Sequence, residues 1–128
     1  MRSPDQIDII RRLNDAARGR PGTASIANAT IGFQSLPDAD RVAALAAIVN
    51  FSQFDGTNDP YGEHDFGTVY RLARGTWTQE RPSDDKSITE TVVWKVDYYD
   101  STLTYGSEAP WDEQQTKRVL TVMLASEY

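Results

Sequence analysis

Thr89-Glu90-Thr91-Val92-Val93-Trp94-Lys95-Val96-Asp97-Tyr98-Tyr99 is the stretch whose reading decides the fold. Its β-branched and aromatic residues fit an extended, half-buried backbone. Side chains alternate along a strand, so Val92, Trp94, Val96 and Tyr98 share one face and Val93, Lys95, Asp97 and Tyr99 the other. The first set predicts a buried face looking onto helices. The second predicts a partly polar face on which Lys95 and Asp97 are placed to pair.

Working outward toward the N-terminus, Phe66 to Leu72 alternates in the same way, with Phe66, Thr68, Tyr70 and Leu72 opposite Gly67, Val69 and Arg71. The polar residues 79–87 lie between the two strands. They predict a long antiparallel hairpin whose tip, near residues 80–87, the fold does not need. Ahead of Phe66 stands Asn58-Asp59-Pro60-Tyr61-Gly62-Glu63-His64-Asp65, which holds the only histidine. Asn-Asp-Pro signals a turn, and a residue before proline avoids helical geometry. This loop is expected to be ordered and to fold back onto residues 94–100.

Further out come helical patterns. Ser3-Pro4-Asp5-Gln6 reads as a capping box with proline at the first helical position. Ile7, Ile10, Leu13 and Ala17 follow at helical spacing, until Gly19 and Pro21-Gly22 stop the helix. Residues 23–33, rich in Thr, Ile and Ala, predict a strand. Leu36-Pro37-Asp38 opens a second helix, to about residue 50, with Val42, Leu45, Ala46 and Val49 in one stripe. Past Tyr99, a short strand is expected over residues 101–105. A last helix is expected from about residue 112 to 126, with Val119, Leu120, Met123 and Leu124 as its apolar face. The order α-β-α-β-β-(β)-α predicts one α+β domain over residues 1–128. Its sheet should be small and mostly antiparallel, with helices packed on one face.

A chain of 128 residues suits one domain, and 39% hydrophobic residues suffice for a core. The absence of cysteine excludes disulfides, thiolate metal sites and cysteine nucleophiles, and fits a reducing compartment. No run approaches a membrane span, and the N-terminal residues lack the apolar core of a signal peptide. A cytoplasmic location, with no membrane association, is the expectation. The net charge of −6 is uneven: residues 1–50 carry +1 and residues 51–128 carry −7. Such a surface repels nucleic-acid phosphates and suits a protein partner with a basic surface.

Four stretches resemble a known family: Asn14-Asp15, Phe54 to Gly67, Trp94 to Asp100, and Leu120 to Tyr128. It is a family of small alphaproteobacterial proteins catalogued as domain of unknown function 3768. The resemblance covers most of residues 6–128. It implies no established activity, and it implies a setting, because members often look like cargo of plasmids and other mobile elements. This chain departs in the hairpin, where residues 74–91 look longer than the family's usual short turn.

The residues with chemistry to offer are Asp59, Tyr61, Glu63, His64, Asp65, Lys95, Asp97 and Tyr99. Glu63, His64, Asp65 and Asp97 supply one nitrogen and several oxygens, a donor set that suits magnesium, manganese or zinc only if the loop turns them together. A His64–Asp97 pair with Tyr98 or Tyr99 would be needed to shuttle a proton. There is no nucleophile elbow, Walker loop or dinucleotide fingerprint. The favoured reading is a self-neutralised polar cluster, with Lys95 within reach, beneath a binding surface anchored by Tyr61 and Tyr99. The expected function is that of a small acidic non-enzymatic binding protein without a cofactor. From the family's setting, it would be an inhibitor or modulator of a host system, of the anti-restriction or anti-CRISPR type. The alternative is a small metal-dependent hydrolase built on the His64 carboxylate cluster.

Overall fold

The computed structural model describes residues 2–128. Helix α1 spans Pro4–Gly19, strand β1 Ile26–Ala29, helix α2 Ile31–Gln34 and helix α3 Asp38–Val49. Strands β2 (Phe66–Leu72), β3 (Trp77–Thr78), β4 (Ile88–Tyr99) and β5 (Lys117–Leu124) follow. The five strands form one sheet in the order β1-β5-β4-β2-β3. All neighbours are antiparallel except β1 and β5, which run parallel from Ile26↔Val119 to Ala29↔Val122. The α+β class and the one-sided packing of helices are as expected. No described helix is long and apolar enough to cross a membrane.

Helix α1 starts as the capping box requires: Ser3 Oγ accepts from the Gln6 amide, and Gln6 Oε1 accepts from the Ser3 amide. Strands β2 and β4 pair from Phe66↔Lys95 to Leu72↔Ile88, with an irregularity after Arg71. Val92, Trp94 and Val96 are buried on the helical side, as their alternation predicts, and Tyr98 packs against them. They meet Ala17 of α1, Phe33 of α2, Ala44 and Ile48 of α3, and Phe51. Asp40 fastens α3 to the sheet by accepting from Arg71 Nε at 2.9 Å and Trp77 Nε1 at 3.2 Å. These two bonds, Arg71's first, hold its carboxyl below the usual range.

Several expectations fail. The expected stripe of the second helix is not its buried face: Val42 and Leu45 are exposed, and α3 buries Ala44 and Ile48. The last helix is strand β5, central in the sheet between β1 and β4. Asp112 opens a turn instead of a helix: its carboxylate accepts from the Gln114 amide and from Gln115 Nε2. Residues 101–105 form a turn gathered by Asp100, whose carboxylate accepts from the amides of Thr102 and Thr104; a single bridge, Tyr99↔Gly106, closes it. The strand expected over residues 23–33 shrinks to β1, because Thr30 caps the short α2 by accepting from the Phe33 amide. The hairpin also gains a strand: β3 turns back on β2, and residues 79–87 then carry the chain to the opposite side of β2. That segment is held at its start: the Glu80 amide donates to Thr78 Oγ1, the Gln79 side chain bonds to Asn50 and Ser52, and Arg81 lies over the Tyr70 ring, 5.6 Å from its centroid.

Gly67 shows how tightly the core closes. A Cβ there would stand 2.5 Å from Trp94 Nε1 and 2.8 Å from the Phe51 ring. Neither ring is free to withdraw, since both are buried. Gly67→Ala is expected to cost about 1–3 kcal/mol, the range for overpacking a filled core. Urea denaturation checks it; an unchanged midpoint would mean that the indole has room to tilt.

Candidate functional site

The loop before β2 is shaped by two left-handed residues. Gly62 has φ +72° and His64 has φ +57°. Two such residues one apart reverse the chain sharply, so the segment is not extended there. As a result Glu63 turns inward and His64 lies on a different neighbour.

Glu63 enters a buried polar network. Tyr98 Oη donates to its Oε1 at 2.7 Å, and Arg2 Nη1 donates to Oε2 at 2.5 Å. Asn14 of α1, fully buried, donates from Nδ2 to the Glu63 carbonyl and to Tyr98 Oη. Its Oδ1 accepts from Arg118 Nε at 2.7 Å. Burial, then the hydrogen bond to Glu63, pushes the Tyr98 phenol far above its ordinary value, so it stays a donor. Burial lowers Arg118 from its usual range.

His64 lies flat on Phe54, with ring centroids 3.7 Å apart and planes 3° from parallel. Its Nδ1–H donates to Asp15 Oδ1 at 2.9 Å, and Nε2 stands 3.6 Å from Asp59 Oδ2. Its backbone amide donates to Asp59 Oδ1. Asp15 also accepts from Arg18 Nη1 at 3.1 Å, and the Arg18 guanidinium lies against both the Phe54 and Trp94 rings, 5.3 and 5.2 Å from their centroids, while those two rings meet edge-on at 6.1 Å. A continuous cluster of ring contacts thus runs from the loop into the core. A cleft of about 390 Å³ opens beside it, lined by Arg11, Phe54, Asp55, Asp59, Gly62 and His64. His64→Ala removes the stack and the bond to Asp15, and is expected to lower stability by about 1–2 kcal/mol. Thermal and urea denaturation test this, and an unchanged midpoint would count against the pinning role.

The eight predicted residues divide into two groups. Asp59, Glu63 and His64 face the helices, and Tyr61 stands 78% exposed at the loop tip. Lys95, Asp97 and Tyr99 belong to the opposite face of the sheet by the alternation of β4. There Lys95 Nζ pairs with Asp97 Oδ2 at 3.0 Å rather than with the loop carboxylates. Tyr99 lines a small cleft with Ile26, Asn28, Leu103 and Val119. Asp65 bridges the groups electrostatically: burial first, then the charges of Glu63, Asp59 and Asp97, push its carboxyl above the usual range. The set Glu63, His64, Asp65 and Asp97 is not gathered at one point, and among the described residues no three His, Asp or Glu side chains are arranged to hold a metal ion. The observed bonds of His64 go to carboxylates, not to a hydroxyl or amine that a base would activate.

Sequence reasoning missed Asn14 and Arg118 as members of this network. Asn14 carried a usable signal, since it follows Ile10 by four and precedes Ala17 by three on the buried stripe of α1. A polar residue there must find partners.

Asp65 yields a pH prediction. A carboxyl whose folded value is raised penalises the folded state when ionised. That penalty is complete at neutral pH, fades as pH falls through the folded value, and is gone below the ordinary 3.8. Asp65→Asn is therefore expected to melt higher than the native chain at neutral pH, the difference closing on acidification. A lower melting temperature at pH 7 would show that the carboxylate is stabilised by a partner.

No curated protein and no solved structure matches the chain. Residues 29–127 match the model of DUF3768, a family described as of unknown function, and with most of its length so covered the chain belongs to that family.

Proposed function

We propose that the protein is a small acidic binding protein without catalytic activity, engaging a protein partner with a basic surface. The observation that carries this reading is the internal satisfaction of the site. The charged side chains of the loop, Asp59, Glu63 and His64, are spent on neighbours within the fold, while Tyr61 is left exposed on a backbone they hold still. Rigid exposed aromatics on a fixed scaffold suit recognition, since little conformational freedom is lost on binding. The sheet face away from the helices adds Asp97 and Tyr99, and residues 51–128 carry −7 to attract a cationic partner.

The partner class that fits best is a component of a host defence system, of the restriction or CRISPR type. Its support is the mobile-element setting implied by the resemblance, together with small size and acidity, which suit a protein that occupies a basic nucleic-acid-binding surface on its target. The site offers no such support to the hydrolase reading.

The test pairs function with binding. The chain is produced in a bacterium carrying an active restriction or CRISPR system, and phage plating is scored. Native protein is expected to raise plating, and the effect should be lost in a Tyr61→Ala/Asp97→Arg variant that keeps its melting temperature. Unchanged plating in both system types would remove that partner class. Metal-dependent hydrolysis by the purified protein, lost on His64→Ala, would replace the whole reading with an enzyme.

A further inference from the structure

A second cleft, of about 480 Å³, lies at the far end of α1 from the loop side of the molecule's polar network. It is lined by the C-terminal turn of α1, residues 22–26 and the entrance to β5. Its charged residues are Arg20, Lys117 and Arg118 against Glu113 alone. That excess of positive charge is unexpected in a chain of net charge −6.

Most cations of this protein have carboxylate partners: Arg2, Arg11, Arg18, Arg41, Arg71, Arg81 and Lys95 all do. Among the described residues Arg20, Lys117 and Arg118 form no ion pair, and neither do the exposed Arg12, Arg74 and Lys86, which do not line this cleft. Arg118 is the informative one. It is only 6% exposed, and a buried guanidinium without an anion is costly. Its Nε and Nη2 go to Asn14 Oδ1 and the Pro110 carbonyl, both neutral, and Tyr98 covers its flat side at 5.1 Å. No acceptor for its Nη1 is present among the described residues, so part of the donor fork remains for something else.

Helix capping does not account for the cluster. The Ala16 and Ala17 carbonyls of α1 have donors, the Arg20 amide and Ser25 Oγ, both at 2.9 Å. The side-chain bonds of Arg118 go to Asn14 and Pro110 and not to a carbonyl at the end of α1.

We propose that this cleft binds a small oxyanion, a carboxylate or phosphate group on a molecule of metabolite size, with Arg118 as the buried anchor and Arg20 and Lys117 at the mouth. The volume lies within the range of small-ligand sites, about 300–1,000 Å³. An arginine fork matches either anion, and a partly desolvated site strengthens such bonds. Glu113 weakens binding and biases the site toward ligands that keep clear of its carboxylate.

Amide NMR at low ionic strength tests this, with inorganic phosphate and succinate titrated separately into the full chain. Saturable shifts are expected at Ser25, Thr116, Lys117 and Arg118, and the ligand giving the tighter saturation identifies the anion class. Arg20→Glu and Lys117→Glu change exposed side chains and should each weaken binding at least about fivefold, as loss of a charge-assisted bond does. Glu113→Gln should tighten it. Arg12→Glu, an exposed site away from the cleft, should leave it unchanged. Shifts that do not saturate with either anion would overturn the proposal. So would equal weakening by Arg12→Glu and Arg20→Glu, which would mean general charge attraction.

Discussion

Trp94→Ala is expected to cost about 3–5 kcal/mol, the range for deleting a large aromatic side chain from a filled core. The indole is fully buried at the centre of the sheet. Phe51 and Phe54 meet it edge-on at 5.4 and 6.1 Å, and Gly67 is bare beneath it. No side chain from that ring of neighbours can fill the space without leaving its own contacts. The Arg18 guanidinium, buried over the ring at 5.2 Å, would lose one of its two aromatic supports. Among the described residues the indole Nε1–H has no acceptor, so the loss is one of packing and not of a hydrogen bond. Trp94→Phe removes that unsatisfied donor along with some volume and should cost clearly less than Trp94→Ala. Urea denaturation of both variants decides it. A loss under about 1 kcal/mol for Trp94→Ala would refute the central place given to this residue.

Asn14→Ala is expected to be of similar size, for a different reason. One amide group satisfies the Glu63 carbonyl, Tyr98 Oη and Arg118 Nε together. Removing it orphans the Glu63 carbonyl and Arg118 Nε, while Tyr98 Oη keeps its bond to the Glu63 carboxylate. Each buried orphan costs about 1–3 kcal/mol, and more where the group is charged, so a loss of about 3 kcal/mol or more is expected. Tyr98→Phe breaks the same network at another point. The double variant should therefore cost less than the two single losses added, since both delete the bond between Asn14 and Tyr98. Strict additivity in denaturation experiments would show that the two residues act independently and that the network is only a drawing of distances.

Much of this was legible in the chain, and the failures have physical causes. Strand β4 and its partner β2 could be read because each has one buried and one accessible face, which leaves a period of two in the residues. Strand β5 could not. It lies between β1 and β4, and Arg118, Val119, Leu120, Val122 and Met123 are all buried although they alternate in direction. A strand covered on both faces shows a continuous apolar run, and Val119, Leu120, Met123 and Leu124 then fit a helical stripe equally well. At the site, the loop and its turn residues were visible. Their facing was not, because it depends on the left-handed backbone at His64, a conformation that no pattern in Gly62-Glu63-His64 requires. Hence Lys95 was grouped with carboxylates that the sheet sets on its other side.

The position of β5 also governs when this protein can fold. Strand β1 precedes the rest of the sheet in the chain, yet among the described residues its only strand partner is β5, about ninety residues further along. Until β5 is made, β4 presents an unpaired backbone edge from Val92 to Tyr99. A nascent chain thus holds a half-finished sheet between completion of β4 at Tyr99 and of β5 at Leu124, and docking of that one strand completes both neighbours at once. Removal of β5 should accordingly leave an aggregating polypeptide rather than a smaller domain.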